Sequence, residues 1–169
     1  AVFSDYAFIS LGANLPGTDG NPADTIKAVL PQLQALSDSA LLISPLYTSD
    51  SRDCPPGSPL YSNAVVGLLP RFDETPQSLL AKMQQLEAEY GRVRNGVINE
   101  ARTLDLDLLV FRSETSTTPA LILPHPRAHE RRFVLEPWQA IAGAAFCLQD
   151  KTLAQWLLLC KDPALQRLL

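Results

Sequence analysis

The apolar positions of the chain follow two periods. Tyr6 to Leu11 form a short apolar run that stops at Gly12-Ala13-Asn14, the pattern of a buried strand. Asn21-Pro22 then reads as a helix start, with Ile26, Val29, Leu30, Leu33 and Leu36 following at helical spacing. Pro31 falls inside that stripe. A missing N–H and a ring clash there cost about 3 kcal/mol, so the helix is expected to be kinked or broken at this point. Ala40 to Ser49 and Leu60 to Leu69 read as a second and a third strand, separated by a Pro-, Gly-, Asp- and Ser-rich loop over 50–59. Thr75-Pro76 opens a helix with Thr75 as N-cap and Pro76 at the first helical position. Leu79, Leu80, Met83, Leu86 and Tyr90 form its apolar stripe, and Gly91 ends it. After a loop over 92–101, Thr103 to Phe111 reads as a fourth strand, and further helices fit Val134 to Ala142 and Thr152 to Cys160.

The resulting order, β-α-β-β-α-β, is the split βαβ or ferredoxin-like arrangement, an α+β fold. It predicts a mostly antiparallel four-stranded sheet with two helices on one face. The extra C-terminal helices should pack on the sheet or its edge. At 169 residues, the length prior gives one domain over 1–169. A chain of this size buries roughly 70% of the surface its unfolded form exposes, which is enough to fold without staples.

Composition narrows the function classes. Apolar residues make up 46% and charged residues 19%, the profile of a soluble globular domain. No apolar run approaches the ~20 residues of a membrane helix. Ala1 to Asp5 show no basic patch followed by an apolar core, so no signal peptide is expected and a cytoplasmic location is. The three cysteines, Cys54, Cys147 and Cys160, lack metal-ligand spacing and read as buried or idle thiols in a reducing cytosol. The net charge of −4 argues against a nucleic-acid binder. Its distribution says more. Of ten arginines, seven lie between Arg92 and Arg132: Arg92, Arg94, Arg102, Arg112, Arg127, Arg131 and Arg132. Guanidinium forks suit phosphate oxygens, although surface arginines also serve merely as solvated charge. No P-loop, no Gly-x-Gly-x-x-Gly and no nucleophile elbow is present.

The sharpest local feature is Arg102-Thr-Leu-Asp105-Leu-Asp107-Leu. Along a strand, Asp105 and Asp107 share one face and Leu104, Leu106 and Leu108 the other. Adjacent carboxylates repel each other unless a hard divalent cation lies between them. A lone Asp-x-Asp is also what a half-exposed strand shows on its wet face. Metal beside guanidinium is the combination phosphoryl transfer requires. Pro124-His125-Pro126 holds His125 in a rigid turn, suited to donating to an anionic oxygen. Gln84, Glu87 and Gly91 share a polar helix face. Tyr61 and Asn63 share a strand face, where an amide could read the edge of a flat heterocycle.

Taken together, these segments resemble the 6-hydroxymethyl-7,8-dihydropterin pyrophosphokinase family of the folate pathway. The resemblance runs from Ile9-Ser-Leu-Gly12-Ala-Asn14-Leu to Phe133-Val-Leu-Glu-Pro137. Between them lie Tyr61-x-Asn63-Ala-Val, Glu87-x-x-x-Gly91-Arg92-x-Arg94, Arg102-Thr-Leu-Asp105-Leu-Asp107, Pro124-His125-Pro126 and Arg131-x-Phe133. The resemblance implies transfer of the β,γ-pyrophosphoryl group of ATP to the pterin hydroxymethyl group, releasing AMP. Asp105 and Asp107 would bind two Mg²⁺ ions and, with Arg92 and Arg102, form the catalytic set. Gln84, Glu87, Arg92, Arg94, Arg102, His125 and Arg131 would lie on the ATP side. Ser49, Tyr61, Asn63 and Phe133 would form the pterin pocket, with Gly12 and Asn14 supporting the site indirectly. The implied partners are these small molecules, with neither nucleic acid nor membrane, and a monomer is expected. Ile98, Asn99, Glu100 and Ala101 stand where the family commonly has a basic residue, Trp, Gly and Pro. Two other readings stay open: a divergent paralogue that binds ATP–Mg²⁺ with another acceptor, and a non-catalytic ferredoxin-like binding module.

Overall fold

The computed structural model describes residues 2–13, 22–49, 61–91 and 104–167. Its centre is β1 (Ala7–Ala13), in which every residue but Gly12 is buried. A strand covered on both faces needs an unbroken apolar run rather than an alternating one. β1 pairs antiparallel with β4 (Tyr61–Leu68) on one edge and with β5 (Asp105–Phe111) on the other. Beyond β4 lie β2 (Leu42–Ile43) and β3 (Tyr47–Ser49), both antiparallel to it. β10 (Gln166–Arg167) adds an outer strand beside β3, giving the order β10-β3-β4-β1-β5. This is the predicted ferredoxin-like core, with additions.

Helices cover both faces of the sheet. α1 (Pro22–Leu36) and α2 (Pro76–Gly91) supply Ile26, Val29, Leu33, Leu79 and Met83 to a core with Ile9, Leu11, Val66 and Leu68. α3 (Arg132–Ala142) and α4 (Leu153–Leu159) supply Val134, Leu135, Trp138 and Leu153 to a second core with Phe8, Val65 and Leu109. Phe8 and Ile9 thus serve opposite layers, as strand alternation requires. α2 begins as predicted: Thr75 Oγ1 accepts the Ser78 N–H at 3.0 Å. α4 carries a full capping box, with Gln155 N donating to Thr152 Oγ1 and Thr152 N to Gln155 Oε1 at 3.1 and 2.9 Å. No helix of the described residues is long and apolar enough to cross a membrane.

The structure departs from the sequence expectations in four places. Of the kink or break expected at Pro31 the break does not occur: α1 runs through it as one helix. Pro31 and Lys27 are both exposed, so the carbonyl that the proline ring cannot serve faces solvent. The expected strand Ala40 to Ser49 is interrupted between β2 and β3 at Pro45, which has no N–H to give. There Ser44 Oγ takes the Val65 N–H at 2.9 Å. The sheet also has more than four strands. Two hairpins were not foreseen: β6 (Ser116–Thr118) with β7 (Leu121–Leu123), and β8 (Cys147–Leu148) with β9 (Lys151–Thr152). The loops over 50–59 and 92–101, with Cys54, lie outside the described residues. Cys147 is exposed and Cys160 half-buried, both as free thiols.

Trp138 is fully buried against Phe8 and Phe146, at ring separations of 5.6 Å to each. Trp138→Ala is expected to cost about 3–5 kcal/mol. Leu158→Ala, at a site 87% exposed, should stay within about 0.5 kcal/mol. Urea unfolding midpoints check both, and similar losses in the two variants would contradict this account of the second core.

Candidate active site

Residues directly opposite each other in antiparallel strands share a face. Tyr47 pairs with Asn63, Asn63 with Gly12, and Gly12 with Asp105. These four form one row across β3, β4, β1 and β5, on the α3 side of the sheet. In the next row Ser10 pairs with both Val65 and Asp107. The two carboxylates are therefore neighbours on one face, half-buried, while Leu104, Leu106 and Leu108 are buried on the other. A bulge in β5 follows them: Phe8 pairs with Val110 but Ile9 with Leu108. The extra residue lets Leu109 and Val110 both enter the α3 core. Asn63 is 2% exposed, and its Nδ2 donates to the Tyr61 carbonyl at 3.5 Å. A Cβ on Gly12 would lie 3.6 Å from Asn63 Oδ1.

The turn at His125 is fastened to the same strand. His125 N donates to the Leu109 carbonyl at 2.8 Å. Its Nδ1 accepts the Arg127 N–H at 3.2 Å, so in the neutral ring the proton sits on Nε2. Burial holds this imidazole below its usual 6.5; Asp107 opposes the shift, and Arg131 and Arg127 reinforce it. A neutral Nε2–H is thus available as a donor beside Asp107. Arg131 precedes α3, and its guanidinium lies 5.6 Å from the centre of the half-buried Phe133 ring.

The structure sorts the residues expected from sequence. Gly12, Asn63, Asp105, Asp107, His125, Arg131 and Phe133 all belong to the α3 side of the sheet. Tyr61 follows Asn63 by alternation and is half-buried, and Ser49 pairs with it in register. Asn14, Arg92, Arg94 and Arg102 lie outside the described residues. Gln84 is exposed on α2. Glu87 has a backbone partner: its Oε2 accepts the Leu106 N–H at 2.9 Å, sealing the outer edge of β5 between the two aspartates. Two arginines of the cluster serve the fold. Arg112 Nη2 donates to the carbonyls of Pro70 and Arg71 at 3.1 and 3.3 Å. Arg132 binds Asp162, Glu136 and the Cys160 carbonyl. Tyr47 and Ser10 join the site face without having been singled out in the sequence. Alternation from Ser49 would have found Tyr47.

Among the described residues no group of three or more His, Cys, Asp or Glu side chains could hold a metal. The Asp105–Asp107 pair remains a donor set of two hard carboxylates, too few for a cage built from protein alone. That fits magnesium shared with phosphate oxygens better than a closed all-protein cage.

The His125 shift has a sign that can be checked. The unfolded chain binds the proton more tightly, so the contribution of the neutral ring is present above pH 6.5 and is lost as pH falls below it. The thermal midpoint of the wild type should therefore fall more steeply than that of His125→Gln between pH 7.5 and 5. Parallel curves, or an NMR titration midpoint for His125 above 6.5, would contradict the assignment.

Comparison with known proteins places this geometry. A family profile described as 7,8-dihydro-6-hydroxymethylpterin-pyrophosphokinase (HPPK) matches residues 8–143. The chain is 33% identical over 162 residues to the 2-amino-4-hydroxy-6-hydroxymethyldihydropteridine pyrophosphokinase of Pseudomonas aeruginosa, covering 95% of each chain. It is 35% identical over 137 residues to the protein of the same name from Haemophilus influenzae, covering 81% of each. It is 31% identical over 148 residues to the folate synthesis bifunctional protein of Arabidopsis thaliana, covering 88% of this chain and 29% of that relative. A chain with this carboxylate pair, this sheet and a match spanning most of its length belongs to the 7,8-dihydro-6-hydroxymethylpterin-pyrophosphokinase family.

Proposed function

We propose that this chain transfers the β,γ-pyrophosphoryl group of ATP to the hydroxymethyl oxygen of 6-hydroxymethyl-7,8-dihydropterin, in folate biosynthesis. The observation that carries the reading is the shared face of Asp105, Asp107 and Asn63, in a chain of this family. The substrate oxygen forms a bond to the β-phosphorus, and the bond from that phosphorus to the bridging oxygen of the α-phosphate breaks. AMP leaves and the hydroxyl proton passes to solvent. Asp105 and Asp107 would hold magnesium, in our reading two ions, which supply charge neutralisation on the triphosphate.

The chain's own residues do the remaining work. Asn63 offers both a donor and an acceptor to the pterin ring edge, Phe133 a face for stacking, and Tyr61 and Ser49 the pocket wall. His125 donates its Nε2–H to a phosphate oxygen. Arg131 would cover the phosphates, and Arg92, Arg94 and Arg102 would complete the positive lining. Glu87 enters this reading through the β5 edge rather than through the nucleotide. Rate comes from in-line placement and fixed charge rather than from covalent chemistry.

Incubation with ATP, Mg²⁺ and the dihydropterin tests the reading. AMP should form only when the pterin is present. ADP would mean single phosphoryl transfer, and tight Mg²⁺-dependent ATP binding without turnover would point to a paralogue with another acceptor. Asp107→Ala should lower kcat by an amount equivalent to several kcal/mol. Its fold should persist, because removing one carboxylate relieves a repulsion. An unaltered kcat at saturating Mg²⁺ would remove Asp107 from the mechanism.

A further inference from the structure

We propose that Tyr47, held in place by the C-terminal strand β10, is a positioning residue of the acceptor pocket that acts through Asn63. The inference rests on the reading of Asn63 as the pterin-edge residue.

Three observations lead to it. The first is register: Tyr47 stands directly opposite Asn63 on the site face, in the row that continues to Gly12 and Asp105. Directly opposed side chains lie about 5 Å apart at Cβ, so an aromatic ring at 47 bounds the space in which the Asn63 amide can turn. Asn63 is buried, and an amide that misorients there presents a donor where an acceptor is required.

The second is support. β3 has three residues, too few to hold a fixed position alone at a sheet edge. β10 makes it an inner strand, pairing Arg167 with Tyr47 and Gln166 with Thr48. The chain leading into β10 is tied to the start of α3 by Arg132. Its backbone N–H donates to Asp162 Oδ2 at 3.2 Å, its Nε to the Asp162 carbonyl at 3.0 Å and its Nη2 to the Cys160 carbonyl at 3.4 Å. Phe133, the proposed stacking residue, is the next residue of the same helix. One connected unit therefore carries the stacking ring and braces the strand behind Asn63.

The third is charge. The groups acting on the Tyr47 phenol are Arg167 of β10 and Glu136 of α3, and Glu136 is itself paired with Arg132 at 3.3 Å. Burial raises the phenol's pKa above its ordinary 10.0, with Arg167 opposing and Glu136 adding to the rise, so it stays a neutral donor at physiological pH. Tyr47 thus stands between Asn63, its partner in register, and the charges of β10 and α3 that act on its phenol.

Binding separates positioning from general stability. Kd is measured for 6-hydroxymethyl-7,8-dihydropterin in the presence of Mg²⁺ and α,β-methylene-ATP, and for that nucleotide alone. Tyr47→Ala, which removes the ring, and a chain ending at Leu165 should each weaken pterin binding about tenfold. Nucleotide binding should change less than about twofold. Adding Tyr47→Ala to Asn63→Ala should cost almost nothing further, because the tyrosine acts through the amide. Tyr47→Phe, which keeps the ring, should retain most of the affinity. If the shortened chain does not fold, Tyr47→Ala and Arg167→Ala decide the question. Unchanged pterin affinity in Tyr47→Ala overturns the proposal, as does parallel loss of both ligands or full additivity with Asn63→Ala. A wild type that binds the nucleotide but no pterin would overturn the proposed function first, and this inference with it.

Discussion

The candidate site depends on the register of β1 between β4 and β5. Because side chains alternate, a slip of one residue would turn Asp105 and Asp107 into the α1–α2 core and bring Leu106 to the site face. Both faces of β1 are buried, so a slip would also exchange Phe8 and Ile9 between two differently shaped cores. That double constraint keeps the polar residues of three strands in line. The bulge after Leu108 then lets β5 change phase, so that its wet first half and its fully buried second half belong to one strand.

The outer edge of β5 illustrates how charge is divided in this protein. Three carboxylates lie close together in space along it, yet they do different things. Asp105 and Asp107 are half-buried side by side on the α3 face, where like charges repel each other and the proposed function sets a cation. Glu87 comes from the helix layer and accepts the Leu106 N–H, which no strand among the described residues satisfies. The arginines divide similarly. A guanidinium offers five donors and serves backbone carbonyls as well as phosphates. Arg112 and Arg132 are used for the fold, whereas Arg131 lies over the half-buried Phe133 ring. Clustering in sequence therefore overstates how much positive charge is available to a ligand.

Local patterns carried much of this architecture. The N-cap at Thr75 and the apolar run of β1 are decided within a few residues, and both were legible. So was the two-faced character of Asp105–Leu108, because strand alternation is itself local. The break at Pro45 was legible in principle, since a residue without N–H weakens any strand. The persistence of α1 through Pro31 was not, because it depends on which side of the helix meets water.

What the sequence by itself determined, then, is the set of central β-α-β-β-α-β elements, their order, and the residue types that make phosphoryl chemistry at Asp105 and Asp107 plausible. Motif spacing along the chain also pointed to the family that the comparisons identify. Only the tertiary structure decided which of those residues meet. It placed Tyr47 beside Asn63, brought the last strand against β3, assigned Glu87 to a strand edge and Arg132 to the C-terminal segment, and lowered the proton affinity of His125 by burial. These outcomes follow from strand register and from long-range packing between segments distant in sequence, and neither is encoded in any short window of the chain.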